Sequence, residues 1–309
     1  MPRPDANQES QSKLDFSSYL REPKYTLKDV ILPATTQQKV ELVLTELQHQ
    51  ELIYQHWGMG KKHRLDKALS INFSGPPGTG KTLTAEAIAH ALNRKILDVP
   101  YDQIESKYVG ETPKHIQAAF QFATEQNALL FFDEADSFLG KRLENVTQAG
   151  DSAVNLTRSV MLKQLSAYEG VIVFATNLLR NYDPAFLSRI RRKVFFELPN
   201  EEARAAIWMA QIPQELPRHE SVNFPDLAKD FPDVSGRDIK NAVLNAVVAA
   251  AGEDQPHKQV HQTHFEEAIR QVIQAKSNAS EQPVTLTPVE GDVPLPTAST
   301  DKVNPACCN

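Results

Sequence analysis

The fold is decided by the stretch Gly75-Pro76-Pro77-Gly78-Thr79-Gly80-Lys81-Thr82. It fits the pattern G-x-x-x-x-G-K-[ST] and lies between an apolar run that predicts a strand, residues 68–74, and an amphipathic run that predicts a helix, residues 81–93. The glycines let backbone N–H groups curve around phosphate oxygens, and the helix N-terminus adds partial positive charge. The alternative is a plain Gly/Pro turn, but the strand–loop–helix context favours a phosphate-binding loop, in which Lys81 reaches the β- and γ-phosphates and Thr82 ligates Mg²⁺.

Two adjacent carboxylates follow another apolar run. Asp133 and Glu134 come directly after residues 128–132, which are typical of a buried parallel strand. Open parallel sheets bind ligands at the carboxyl ends of their strands, so we expect both side chains beside the phosphate loop. Asp133 is placed to hold Mg²⁺, and Glu134 is placed to polarise an attacking water. The pair predicts hydrolysis of ATP as well as binding.

An amide and a basic run follow later elements. Asn177 ends the apolar run of residues 171–176, where it could orient the attacking water together with Glu134; an ordinary Asn turn explains it equally well. A solvated basic patch is the usual explanation of the run before the last predicted strand, yet an arginine that stabilises a transferring phosphoryl group is a known catalytic device. The basic residues of this run are Arg189, Arg191, Arg192 and Lys193.

Apolar runs alternate with amphipathic stretches between two polar tails. This alternation predicts an α/β domain, a doubly wound parallel five-stranded sheet, followed by a small all-helical lid domain. The predicted strands are residues 68–74, 96–99, 128–132, 171–176 and 194–198, and the predicted helices are residues 36–55, 81–93, 113–125, 153–168, 184–189, 201–211, 235–251 and one that starts at residue 263. The expected organisation is a disordered tail (1–24), the large nucleotide-binding domain (25–200), the lid (201–275) and a second disordered tail (276–309).

The composition excludes several classes of protein. The net charge is −6, so no global basic field favours nucleic acid. No stretch approaches the ~18 apolar residues of a membrane span, and residues 1–11 lack the apolar core of a signal peptide. The cysteines, Cys307 and Cys308, are adjacent and cannot staple a fold, which is typical of a reducing compartment. We therefore expect a cytoplasmic protein.

Jointly, these motifs resemble the AAA clade of the AAA+ ATPase superfamily. The similarity covers roughly residues 25–275 and implies a P-loop NTPase of AAA+ type, with ATP and Mg²⁺ as cofactors and a single ATPase domain without a large N-terminal domain. The phosphate loop is similar to Walker A, the segment 131–136 to Walker B, and Ala175-Thr176-Asn177 to sensor 1. The residues that this resemblance places at the nucleotide are Gly75, Pro76, Pro77, Gly78, Thr79, Gly80, Lys81, Thr82, Leu83, Asp133 and Arg237.

The resemblance also implies a homo-oligomer, a hexameric ring in which arginines act on ATP held by the neighbouring subunit. By similarity Arg189 and Arg192 occupy these positions, but the Pro-Gly of the commonest family pattern is missing, so Arg191 remains a third candidate. Arg237 lies at the start of the segment similar to the sensor 2 helix and would touch the γ-phosphate from the lid. A surface arginine in a first helical turn is the alternative for Arg237.

The segment Ser106-Lys107-Tyr108-Val109-Gly110-Glu111 resembles pore loop 1 of the family. In that loop an aromatic and a small apolar residue, here Tyr108 and Val109, project into a central channel and grip a translocating polypeptide. A surface tyrosine on a loop is the alternative. The resemblance thus implies a ring motor that threads, remodels, unfolds or disassembles protein substrates.

Two other functions remain open from the residues. The tetrad Asp133-Glu134-Ala135-Asp136 also occurs in helicases, which would suggest a nucleic-acid-directed ATPase or a clamp-loader-like switch. The acidic net charge disfavours a nucleic-acid partner. A nucleotide-switched scaffold that scarcely hydrolyses is the third possibility, and the intact Lys81, Asp133 and Glu134 argue against it.

Overall fold

Six strands form one sheet within the residues that the structure, a computed structural model, describes: 15–62, 69–100, 104, 111–140, 149–178, 181–254 and 257–281. The strand order is β1-β3-β4-β5-β2-β6, and every neighbouring pair is parallel except β1 with β3. The strands are β1 (Leu20–Arg21), β2 (Leu69–Ser74), β3 (Ile96–Asp98), β4 (Leu129–Phe132), β5 (Val171–Thr176) and β6 (Arg192–Phe195).

Helices connect the strands and then form a separate cluster at the end of the chain. Short 3-10 turns occupy Ser17–Tyr19 and Leu27–Asp29, and a π-helical turn occupies Leu52–His56. The α-helices are α1 (Ala34–Gln48), α2 (Met59–Lys62), α3 (Lys81–Ala91), α4 (Glu111–Glu125), α5 (Asp136–Leu139), α6 (Ala149–Ala167), α7 (Pro184–Arg189), α8 (Glu201–Ala210), α9 (Phe224–Asp230), α10 (Gly236–Gly252) and α11 (Gln262–Glu281).

Both faces of the sheet are covered, as the apolar strands predict. Successive residues of a strand point to opposite faces, so β4 contributes Leu130 and Phe132 to one core and Leu129 and Phe131 to the other. The first core packs against α4, α6 and α7, and the second against α1 and α3. The predicted doubly wound α/β class is confirmed, and the edge where the parallel strands end is where open sheets of this kind bind ligands.

The sheet differs from the predicted five-stranded parallel one by its sixth strand. Strand β1 lies in the segment predicted as a disordered tail, residues 1–24, and that prediction is wrong for residues 15–24. Phe16 is buried in the first core, Arg21 pairs with Glu86 of α3 at 2.9 Å, and the Lys24 N–H donates to the same carboxylate. The polar composition of residues 15–24 gave no sign that they are ordered, because the residues that they contact lie far away along the chain.

Three predicted boundaries were also wrong. The helix predicted for residues 36–55 ends at Gln48 and is followed by the separate π-helical turn. The last strand covers Arg192–Phe195 instead of residues 194–198, because its start is set by pairing with β2. Helix α11 continues to Glu281, beyond the lid boundary expected at residue 275. Local sequence patterns do not specify where a helix or strand begins and ends, because these ends depend on contacts with neighbouring elements.

Helices α8 to α11 enclose a core of their own. The Phe265 ring makes edge-to-face contacts with the rings of Trp208 and Phe224 within this core. Arg204 is buried there, and its guanidinium donates to the carbonyls of Ala228 and Pro199, so its polar groups are satisfied. The second domain is thus all-helical, as predicted. Of the helices that the structure describes, none is long and apolar enough to cross a membrane.

Candidate functional site

The phosphate loop connects β2 to α3 and is shaped by glycine. A Cβ on Gly75, whose φ is +143°, would lie 2.1 Å from the carbonyl oxygen of Phe196, and a Cβ on Gly78, whose φ is +77°, would lie 2.6 Å from Ser235 Oγ. Both contacts are too close for any larger residue. The loop is therefore held against the end of β6 on one side and the first turn of lid helix α10 on the other.

Lys81 is buried beneath this loop. Its Nζ donates to the carbonyl oxygens of Gly75 and Pro76, both at 2.8 Å, and to Asn177 Oδ1 at 2.7 Å. All three partners are neutral, so the ammonium charge is oriented by hydrogen bonds without being paired to a carboxylate. A phosphate oxygen can replace such partners with a gain of charge–charge attraction.

The electrostatics of Lys81 follow from its position. Burial lowers the pKa of its ammonium to about 8, the nearby Asp133 carboxylate opposes this shift, and the Arg237 guanidinium adds to it. A dianionic or trianionic ligand would favour the protonated form. The surroundings of Lys81 are thus suited to an anion.

Thr82 and Asp133 meet at the carboxyl edge of the sheet. Thr82 Oγ1 donates to Asp133 Oδ2 at 3.1 Å, joining the first turn of α3 to the end of β4. A hydroxyl and a carboxylate are hard oxygen donors that suit Mg²⁺, which keeps several waters and takes few protein ligands. Within the described residues, no group of three or more His, Cys, Asp or Glu could hold a metal ion on its own. This arrangement fits Mg²⁺ that is shared with phosphate oxygens.

Glu134 has an unusual backbone. Its φ is +49°, a left-handed conformation that costs a non-glycine residue on the order of 1 kcal/mol or more. The turn is stabilised on both sides, because the Glu134 N–H donates to Asp133 Oδ1 and the Ala135 N–H donates to the carbonyl of Ala175. Strain held at one exposed carboxylate beside the candidate site is typical of a functional position.

Asn177 follows β5 and lies at the same edge. The contact that the structure describes for its amide is with Lys81; the predicted partnership with Glu134 in orienting water stays a prediction. Sequence reasoning missed a neighbouring bond, from Thr176 Oγ1 to Asp136 Oδ1 at 2.6 Å, which joins the turn after β4 to the end of β5. The signal was present in the two motifs themselves, since each contains one of the partners.

The lid approaches the phosphate loop through the start of α10. The Arg237 N–H donates to the carbonyl of Gly78 at 3.3 Å, and Ser235 caps the helix in a reciprocal box with Asp238. Capping stabilises this helix end, and the helix N-terminus then brings partial positive charge to the loop. The structure thus brings Arg237 close to Lys81, as a role at the phosphates would require.

The arginine run is divided in the structure. Arg189 is exposed, and its guanidinium donates to the carbonyl of Ala185 at 2.9 Å and to Ser166 Oγ at 3.2 Å. Arg191 and Arg192 instead both bind Glu46 of α1. The predicted pair Arg189 and Arg192 is therefore not a pair of equivalent, outward-facing side chains. Tyr108 and Val109, the predicted pore-loop residues, lie outside the described residues.

The family model that matches the chain is the "ATPase family associated with various cellular activities (AAA)", over residues 71–198. This match spans the phosphate loop, the acidic turn, the strand before Asn177 and the arginine run. The chain belongs to the AAA ATPase family.

The particular relatives are proteasomal. The chain is 34% identical over 210 residues to 26S proteasome regulatory subunit 8 of Caenorhabditis elegans, covering 66% of this chain and 50% of the relative. It is 32% identical over 230 residues to the 26S proteasome regulatory subunit 8 homolog of Schizosaccharomyces pombe, covering 72% of this chain and 56% of the relative. The chain thus spans about half the length of these relatives.

Proposed function

We propose that this chain is a Mg²⁺-dependent ATPase subunit of a homo-oligomeric, hexameric ring that remodels or unfolds protein substrates. The observation that carries the ATPase proposal is the arrangement of Lys81, Thr82, Asp133 and Asn177 around one edge of the sheet. A buried ammonium lies beneath the loop, where its hydrogen-bond partners among the described residues are neutral, and two hard oxygen donors lie beside it.

Each residue of this edge has a proposed role. Lys81 exchanges its carbonyl partners for phosphate oxygens, and the backbone N–H groups of the loop bind the same anion. Thr82 and Asp133 would hold Mg²⁺, which when bound neutralises charge that develops on the phosphoryl oxygens. Glu134 accepts a proton from the attacking water, and Asn177 is freed to orient that water when Lys81 turns to phosphate.

Two arginines from outside the large domain that holds the nucleotide complete the proposed site. Arg237 contacts phosphate from the lid of the same chain, and its closeness to Gly78 supports this role. Arg189 acts on the nucleotide of the neighbouring subunit, and its exposed guanidinium supports that reach. A site that needs both chains makes hydrolysis dependent on assembly.

Protein substrates are supported by the relatives, which are named as regulatory subunits of a proteasome. Tyr108 and Val109 are proposed to grip the polypeptide in the central pore, as the family resemblance implies. The cytoplasmic location and the exact ring size stay predictions. A nucleic-acid substrate is the alternative, and the net charge of −6 disfavours it.

The Glu134→Gln variant tests the catalytic part of this proposal. Because the amide cannot accept the proton, we expect kcat for ATP hydrolysis to fall about 10²- to 10⁴-fold while ATP binding is retained. Steady-state phosphate release and binding of a fluorescent ATP analogue measure the two effects. Glu202→Gln, an exposed carboxylate of α8, is the matched control and should behave as wild type.

The same variant tests the assembly, and the wild type tests the substrate class. In ATP it should form particles of about six times the 34.5 kDa chain mass, measured by native mass spectrometry. Wild-type activity per chain should rise with protein concentration as rings form. Unchanged turnover in Glu134→Gln would exclude Glu134 as the water activator, and stimulation of the ATPase by DNA or RNA instead of an unfolded protein would favour the alternative substrate.

A further inference from the structure

A buried carboxylate lies behind the arginine run. Glu46 belongs to α1, and only 5% of its side chain is exposed. An ionised carboxylate is costly to bury unless it is paired and hydrogen-bonded. Among the described residues, Glu46 is compensated from outside its own helix: its partners are Tyr54 of the π-helical turn, Arg191, and Arg192 at the start of β6.

Three donors share this carboxylate. Arg191 Nε binds Oε1 and Arg192 Nε binds Oε2, each at 2.5 Å, and the Tyr54 hydroxyl donates to Oε1 at 3.0 Å. The guanidinium of Arg191 also lies over the Tyr54 ring, 5.3 Å from its centroid. Burial raises the pKa of Glu46, but the hydrogen bonds from Arg192 and Arg191 outweigh it and hold the pKa below its ordinary value. Both arginines are therefore bound to a fixed charge of their own subunit.

The backbone of the run is fixed by the same region. Ser70 Oγ donates to the carbonyl of Arg189 at 2.7 Å and accepts from the Arg191 N–H at 3.2 Å, while the Arg191 N–H also donates to the Ser70 carbonyl. Ser70 belongs to β2, the strand that leads into the phosphate loop. The position of the run is thus coupled to the strand that leads into the phosphate loop.

Arg189 is the exception within the run. Its guanidinium binds the neutral oxygens of Ala185 and Ser166 and is exposed, whereas Arg191 and Arg192 bind a buried anion. Exchanging neutral partners for a nucleotide phosphate gains charge–charge attraction. Removing Arg192 from Glu46 would instead separate it from a buried carboxylate.

We propose that Glu46 is a positioning residue that retains Arg191 and Arg192 within their own subunit and leaves Arg189 as the member of this run that reaches the neighbouring nucleotide. This inference rests on the proposed ring ATPase. It differs from the family-based prediction, in which Arg189 and Arg192 both cross the interface. Glu46 would act on the nucleotide only through Arg189, by fixing the backbone position from which the Arg189 side chain extends.

Mixed assemblies test this division of the run. Arg189→Ala, Arg192→Ala and Glu46→Gln are assayed as pure proteins and as equal mixtures with Lys81→Met, a chain that should bind ATP weakly and not hydrolyse it but that carries the complete run. An arginine supplied by a neighbour is restored by mixing, whereas a defect in a chain's own nucleotide pocket is not. Thermal unfolding of each variant shows that it is folded, and Arg192→Lys replaces Arg192→Ala if the latter does not fold.

The expected results separate the three residues. Arg189→Ala lowers kcat about 10³-fold or more with little change in KM, and the mixture regains activity. Glu46→Gln lowers kcat by less than about tenfold, again without a change in KM, and is also restored by mixing, which a defect confined to a subunit's own fold would not be. Arg192→Ala loses no more activity than Glu46→Gln.

Two results would overturn the inference, and they are distinguishable. A loss of kcat in Arg192→Ala as large as in Arg189→Ala, and restored by mixing, would mean that Arg192 crosses the interface while the ring ATPase stands. No restoration of any variant, together with wild-type activity that does not rise with concentration, would overturn the ring ATPase itself.

Discussion

The phosphate loop and the arginine run both contain buried or half-buried cations, but the hydrogen-bond partners of these cations differ in charge between the two regions. Lys81 of the loop is hydrogen-bonded to neutral oxygens, whereas Arg191 and Arg192 are bound to the buried carboxylate of Glu46. Neutral partners orient a cation and leave its charge available to an incoming anion. A buried carboxylate neutralises it and fixes it in place. We therefore expect the charge of its hydrogen-bond partners to distinguish a cation that binds a ligand from a cation with a structural role.

The largest effect that we expect from this difference is on the pH dependence of nucleotide binding. Burial lowers the pKa of Lys81 to about 8, while a bound triphosphate favours the protonated form and raises that pKa. Affinity for ATP should accordingly be constant below this pKa and fall above it, by up to about tenfold per pH unit until the pKa of the complex is reached. Titrations with a fluorescent ATP analogue from about pH 7 to pH 10 measure the profile.

Lys81→Met is the control for this profile. It lacks the titrating group, so it should bind more weakly and show no comparable fall over the same range. A wild-type affinity that stays constant across the range would mean that Lys81 is not the cation that the triphosphate contacts.

A smaller effect is expected at the opposite kind of site. In Glu46→Gln the neutral amide cannot compensate two guanidinium groups, although these are about one-third exposed and recover part of their hydration. We expect the free energy of unfolding at neutral pH to fall by about 1–2 kcal/mol, measured by urea denaturation. Glu41→Gln, at an exposed position of the same helix, should have little effect.

The pH dependence of that loss has a definite sign. The pKa of Glu46 is lower in the folded protein than its ordinary value of 4.5, so its stabilisation is fully present above pH 4.5 and is lost as the pH falls through the folded pKa. The difference between wild type and Glu46→Gln should therefore shrink in acid. A difference that grows as the pH falls would show that Glu46 is not held ionised by the arginines.

The smallest predicted effect is at Ser70, which links the two regions. Ser70→Ala removes the bonds from its hydroxyl to the Arg189 carbonyl and from the Arg191 N–H, and we expect a loss of about 1 kcal/mol in the free energy of unfolding. Ser188→Ala removes an exposed hydroxyl of α7 and should cost less. Equal losses of unfolding free energy in the two variants would show that the buried Ser70 hydroxyl does not stabilise the arginine run.

Much of the site was predictable because its motifs are local. The spacing from Gly75 to Thr82 specifies a loop between a strand and a helix, and the apolar runs before Asp133 and Asn177 place both residues at strand ends. The contacts among these residues lie within the region that such topology brings together. Their roles in hydrolysis stay predictions.

The remaining features depend on partners that are distant along the chain. Glu46 looks like one more polar residue on an amphipathic helix, and only the fold brings it to Arg191 and Arg192, 145 and 146 residues away. Arg21 likewise lies in a polar segment whose partner, Glu86, is on α3. No local pattern predicts such pairs, because a single charged residue is equally compatible with solvent.

The amino-acid sequence by itself determined the α/β class, the phosphate loop, the acidic turn and the family, because each depends on residue types at short, regular spacings. Only the tertiary structure decided which cation faces neutral oxygens and which faces a buried carboxylate. That distinction is electrostatic, and it arises where separate elements meet. It supports the proposed role of Lys81 in binding ligand and distinguishes Arg189 from Arg191 and Arg192.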